Sequence, residues 1–270
     1  MRPGQENRPS CLGIIILKLT IDKLSINLKY MKKSFIITIS LVVALFLGIA
    51  LVQAKSDNSN PSSDIERGVF VHYPHAQGLA KGAGATGDQV NDYKYNGIHW
   101  AIPAVSYKIN PVNTQIPDTD VINATQLAFQ EWVSHDNFNS THIDFNYLGT
   151  TVTNTPVNPS TDGINTVSFE SFGSSYPNAI AVTFYWYSRT TKTLVETDTV
   201  FNSDLPWATN GDSASYDLQN IATHEFGHWL LLGDLYSPRD WALTMYGYGY
   251  KGDTDHTLGT GDITGINKIY

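Results

Sequence analysis

The sequence predicts an α+β fold over residues 97–270, with its chemistry carried on the second of three helices. Three observations point that way. Five short runs alternate apolar and polar residues as half-buried strands do. Three stretches repeat apolar residues at helical spacing. The second of those stretches, Tyr216 to Leu232, places His224, Glu225 and His228 one helical turn apart.

In chain order, the first 54 residues read as a leader rather than as part of a fold. Met31-Lys32-Lys33 opens a basic stretch, an apolar run extends from Phe35 to Val52, and Val52-Gln53-Ala54 ends it on small residues. That is the layout of a secretory signal over residues 31–54. An uncleaved membrane anchor is the alternative, because the run approaches the ~20 residues that span a bilayer. Residues 1–30 read as an upstream extension from a mis-called start. The signal implies a secreted, extracellular protein, or a cell-surface protein if it stays uncleaved.

Residues 55–96 are rich in Ser, Asn, Asp and Gly and read as a flexible spacer or short pro-segment. Within them, Gly68 to Tyr73 could form a short strand. Val105 to Ile109 is the first strand of the domain. Asp118 to Ser134 follows as a helix with candidate caps at Asp118 and Asp120. Ile143 to Tyr147, Ile164 to Phe169, Ile180 to Tyr187 and Leu194 to Phe201 complete the strands, the last two joined by a hairpin at Ser188 to Lys192. Tyr216 to Leu232 is the second helix, ended by Gly233, and Asp262 to Tyr270 the third. Trp100, Trp132 and Trp229 read as core.

Composition narrows the function. Beyond residue 54 the chain holds 10 basic and 23 acidic residues, a formal charge of −13. That excludes nucleic acid and anionic membrane surfaces as partners, since both require clustered cations. The only cysteine is Cys11, so the secreted portion has no disulfide. A monomer is expected.

The second helix carries the chemistry. Residues i and i+4 share one helix face, so His224 and His228 can present two imidazoles to one ion. Zinc held by three protein ligands keeps a fourth position for water and lowers its pKa to about 7. Glu225, next to the first histidine, can reach that water as general base and then acid. A third ligand six residues beyond His228 requires the chain to turn back, and Asp234 stands there. His256 is the competing candidate.

These residues are similar to the metzincin zinc proteases, and within them to the matrixins: the matrix metalloproteinases and their microbial relatives. The resemblance rests on His224-Glu225-Phe226-Gly227-His228, on Ala242-Leu243-Thr244-Met245-Tyr246 as a Met-turn, and on Gly261 to Tyr270 as a closing helix. Ala128 to Trp132 resembles the family's first helix, and Glu196 to Asn202 a strand preceding its active-site helix. The resemblance implies a twisted, mostly parallel sheet of about five strands with one antiparallel edge strand, Ile180 to Tyr187, rimming the cleft. An extended polypeptide substrate would add to that edge. It also implies one catalytic zinc on His224, His228 and Asp234, Glu225 as the catalytic residue, Met245 as an apolar floor beneath the metal, and structural calcium as a further option. One of Tyr246, Tyr248 and Tyr250 could line the substrate pocket. The implied activity is hydrolysis of internal peptide bonds. The alternative is a protein-binding module of the same fold that holds zinc without catalysis.

The departures from the family are specific. Leu231 replaces the glycine three residues after the second histidine. A left-handed backbone there costs leucine about 1–2 kcal/mol, so the turn is expected to shift towards Gly233. Asp replaces the third histidine at position 234. No cysteine follows the signal, which rules out the matrixin cysteine switch. No histidine lies between His142 and His224, so a second zinc of the matrixin kind is not expected. His72, His75, His99, His135 and His142 lack ligand spacing and read as surface or core histidines.

Overall fold

The computed structural model describes residues 64–75, 88–136 and 142–270. The predicted signal over residues 31–54 and the upstream extension lie outside these residues. Among the described residues no helix is long and apolar enough to cross a membrane.

Among the described residues there are nine strands and three α-helices. They are β1 (Ile65–Pro74), β2 (Ala104–Ile109), α1 (Asp118–Ser134), β3 (Asp144–Thr150), β4 (Asn165–Glu170), β5 (Ala181–Ser188), β6 (Leu194–Asn202), β7 (Trp207–Ala208), β8 (Tyr216–Asp217), α2 (Leu218–Trp229), β9 (Tyr248–Gly249) and α3 (Thr260–Ile269). Seven strands form one sheet in the order β3-β2-β4-β6-β5-β1-β9. Strands β3, β2, β4 and β6 run parallel to one another, whereas β5 is antiparallel to β6 and β1 antiparallel to β5. The five expected strands are all present, and β1 and β9 extend the sheet beyond β5. The expected antiparallel strand, β5, flanks the parallel strands, and β1 pairs along its outer side. Gly68 to Tyr73, read as a possible short strand, lies within this longer β1.

Helix α1 packs on α2, and both press on the sheet through aromatic side chains. Phe129 stacks on Phe226 with ring centroids 3.6 Å apart. Two buried tryptophans tie into α2 itself: Trp132 Nε1 donates to the Thr223 carbonyl at 2.7 Å, and Trp100 Nε1 to the Trp229 carbonyl at 2.8 Å. Each indole thus satisfies its N–H while burying its ring. Asp118 and Asp120 lie inside the first turn of α1 and make no capping hydrogen bond. There their charge opposes the positive end of the helix dipole.

Helix α2 is shorter than the apolar pattern implies. Asp217 caps it by accepting from the Asn220 N–H at 3.0 Å, and it ends at Trp229 rather than Leu232. Leu231 stops it, with φ +58°. The Leu231 N–H donates to the His228 carbonyl and the Leu232 N–H to the Gly227 carbonyl, both at 3.0 Å. That pair of bonds is the Schellman arrangement, which requires a left-handed residue where Leu231 stands. The turn does not move to Gly233. Leu231 is 1% exposed, and burial of its side chain, worth about 1.5–3 kcal/mol, offsets the strain.

Candidate metal centre and active site

The early end of α2 brings three side chains together. His224 and His228 project from one face, and the reversal at Leu231 carries Asp234 back beneath them. Asp234 Oδ1 lies 3.2 Å from His224 Nε2 and 3.4 Å from His228 Nε2.

Both imidazoles are fixed in one tautomer. His224 Nδ1 is 2.8 Å from the Thr244 carbonyl oxygen, and His228 Nδ1 is 2.7 Å from that of Leu232. A carbonyl only accepts, so each Nδ1 must carry the proton. Each Nε2 then presents a lone pair towards a carboxylate oxygen. All three atoms are buried and none has a hydrogen-bond partner. Three lone pairs facing one another without a proton between them repel, and a cation resolves the conflict. The spacing agrees: a tetrahedral ion bound at about 2.0–2.1 Å sets its ligand atoms about 3.3–3.4 Å apart. The donor set, two neutral imidazoles and a carboxylate, suits zinc.

The groups around the donors hold them in place, as supporting shells of metal sites do. Tyr236 donates its hydroxyl to Asp234 Oδ2 at 3.1 Å, which turns Oδ1 towards the histidines. The buried Asp262 of α3 accepts from the N–H groups of Thr244 at 2.7 Å and Met245 at 3.1 Å. The Thr244 carbonyl that orients His224 is thereby anchored to α3. Met245 is 1% exposed, and its Sδ lies where a side chain on Gly227 would begin, 2.1 Å from an added Cβ. Gly227 therefore allows the Met-turn to press directly on α2 between the two histidines.

Glu225 is completely buried. Its Oε2 accepts from Thr183 Oγ1 at 2.6 Å. Thr183 Oγ1 lies 2.7 Å from Thr199 Oγ1, which accepts from Trp229 Nε1 at 2.8 Å. An indole N–H only donates, and Thr183 gives its proton to Glu225. The chain of donors therefore runs one way, from Trp229 through Thr199 and Thr183 to Glu225. It leaves Oε1 as the free oxygen. Beside His224 opens a cavity lined by Asn220, Trp241, Thr244, Tyr246, Tyr248 and Tyr250 among others, so all three candidate tyrosines reach it.

His256 is elsewhere. Its Nε2 lies 2.8 Å from Asp217 Oδ1, where it serves the cap of α2. His99, His135 and His142 contact Tyr95, Glu131 and Asp136, and His75 stacks on Tyr250. His72 departs from its reading as a bystander. It is 2% exposed, its ring lies 3.9 Å from that of His224, and its Nδ1 is 3.3 Å from Glu225 Oε1. Burial, followed by the neighbouring His224, lowers its pKa to about 4, so the ring is neutral. Thr183, Thr199 and Tyr236 also carry no sequence signal. Each is an ordinary residue in a strand or loop until the sheet and the turn place it.

The matrixin family model matches residues 99–270. The match runs from just before β2 to the end of α3 and includes all of the donors above. The chain belongs to the matrixin family. Matrix metalloproteinase-16 of Homo sapiens and of Mus musculus are each 27% identical to this matrixin over 181 residues, and the Rattus norvegicus protein 26%. The alignments cover 66% of this chain and 28% of each relative, so the chain spans less than a third of the length of these curated relatives. The mixed sheet, its antiparallel strand and the three helices are those of a matrixin catalytic domain, with more strands than the five expected.

Proposed function

We propose that this matrixin is a secreted zinc metalloendopeptidase that hydrolyses internal peptide bonds. His224, His228 and Asp234 would hold the metal, and Glu225 would be the catalytic acid–base residue. The observation that carries the reading is the convergence of three buried donor atoms without hydrogen-bond partners, with each imidazole Nδ1 held by a backbone carbonyl. Membership of the matrixin family points to the same metal.

Zinc, when bound, supplies Lewis acidity that polarises a water and the scissile carbonyl. The remaining work belongs to the chain. An extended peptide would pair with the outer side of β5, the side that β1 takes up. Glu225 Oε1 is free to take a proton from the attacking water and to return it to the departing amine. The donors from Trp229 through Thr183 hold Oε2 and so aim Oε1. The cavity beside His224 accepts a substrate side chain.

The test is Glu225→Gln beside the wild type, with metal content measured on both. The expected result is one zinc per chain in each, casein hydrolysis by the wild type that a chelator abolishes, and a loss of at least a thousandfold in the variant. Equal hydrolysis by both proteins would sink the mechanism. Equal inactivity, with zinc bound and no other block in the cleft, would sink the peptidase reading.

A further inference from the structure

Strand β1 lies where a substrate would have to bind. It pairs antiparallel with β5 through eight consecutive residues, from Ile65 opposite Ser188 to His72 opposite Ala181. On its other side Tyr73 and Pro74 pair with Tyr248 and Gly249 of β9, in the loop that lines the cavity. The segment is thus an extended peptide laid between the two walls of the cleft. It precedes residue 99, where the match to the matrixin family begins.

The side chains of β1 meet the metal donors directly. Alternate residues of a strand share a face, so Phe70 and His72 point the same way. Phe70 stacks on His228, with ring centroids 4.0 Å apart and planes at 3°. His72 lies over His224 and its Nδ1 meets the free oxygen of Glu225. Together they bracket the site from both sides. Neither His72 nitrogen has a hydrogen-bond partner, although both are buried. Glycines make the room: a Cβ on Gly68 would enter the Tyr185 ring at 2.0 Å, and one on Gly249 would come within 3.2 Å of His72 Nε2. The start of the segment is held too. Asp64 accepts from the hydroxyls of Ser188 and Thr190, each at 2.6 Å, and Arg67 donates to the Pro159 carbonyl at 2.7 Å.

We propose that residues 65–74 are a built-in competitor that occupies the peptide-binding cleft and closes the metal centre, with Phe70 and His72 as its anchors. This rests on the peptidase reading and deepens it. His72 fills the space beside Glu225 that the attacking water needs, and β1 satisfies the edge of β5 that a substrate would pair with. It performs a closure for which residues 55–270 hold no cysteine, by β-strand addition and two ring contacts instead of a thiolate. The cleft, once open, would favour extended peptides with ring-bearing side chains two residues apart.

The experiment uses the full chain as wild type, as Phe70→Ala/His72→Ala, and as Val69→Ala, a control on the outward face of β1. Three quantities are read: hydrolysis of a quenched peptide, amide exchange of residues 65–74, and affinity of the cobalt-loaded protein for acetohydroxamate. The double variant is expected to lose protection over 65–74 while α2 stays protected, to bind acetohydroxamate at least tenfold more tightly, and to hydrolyse at least tenfold faster. A synthetic peptide of residues 65–74 should reverse both gains, and Val69→Ala should match the wild type. If β1 is released but acetohydroxamate binds no better, or if the double variant only loses stability, the proposal is overturned. If the double variant gains acetohydroxamate and peptide binding yet hydrolyses nothing, the occupied cleft stands and the peptidase reading falls.

Discussion

Replacing Leu231 tests the feature in which this chain departs most from its family. Leu231 holds φ +58° while 1% exposed. The backbone strain costs about 1–2 kcal/mol, and truncating a buried leucine costs about 2–5 kcal/mol. Leu231→Gly removes both the strain and the side chain but adds about 0.5–1 kcal/mol of chain entropy, so it is expected to lose about 0.5–5 kcal/mol overall. Leu231→Ala loses the side chain but keeps the strain. It should therefore be less stable than Leu231→Gly by about 0.5–1 kcal/mol, the reverse of the usual order of these residues in a helix. The assay is urea unfolding at fixed free zinc, because metal bound only to the folded state adds to apparent stability. An alanine variant as stable as the glycine variant would refute the left-handed turn. A glycine variant as stable as the wild type would refute the claim that burial sustains it.

Three further outcomes follow from the site and the sheet. Thr183→Val keeps the shape of the side chain but removes the donor to Glu225 Oε2; hydrolysis should fall roughly tenfold, the effect of losing one hydrogen bond to a charged group, while zinc content stays at one. Loss of zinc in that variant would show a structural role instead. Tyr236→Phe frees Asp234 Oδ2, and chelator competition should show zinc affinity lowered by about 10- to 100-fold; unchanged affinity would mean that the hydroxyl does not orient the ligand. Burial raises the Asp198 carboxyl from its ordinary 3.8 to about 8, with Glu196 and Asp162 adding to the effect. The folded state therefore binds this proton more tightly than the unfolded chain does. Its stabilising effect is greatest below pH 4 and is lost as pH rises towards 8. Relative to Asp198→Asn, the wild type should lose stability across that range, by at most about 1.4 kcal/mol per pH unit, and then level off. Parallel pH profiles for the two proteins would count against this.

The divergence between the reading of the sequence and the folded chain lies in a few residues. The strands β2 to β6 and the three helices were legible because each must turn an apolar face to the core, and that requirement writes a period into the sequence. The pattern overran at α2. Trp229, Leu230, Leu231 and Leu232 are all core residues, and burial continues past the point where the backbone stops being helical. Composition could not reveal the stop, because Leu231 adopts a conformation that leucine ordinarily avoids, and does so only within this packed turn.

The sequence by itself determined the family, the zinc-type chemistry expected of His224, Glu225 and His228, and the candidacy of Asp234, because a helix turn and a short loop are local geometry. Tertiary structure decided the rest. It brought Asp234 against the two histidines and His256 against Asp217. It joined Trp229, Thr199 and Thr183 into a line of donors to Glu225 from two strands and a helix. It also carried His72, 152 positions before His224 in the chain, onto the metal donors. Contacts of that kind leave no periodic trace, since they depend on which strand lies beside which, and strand order is set by the packing of the whole sheet.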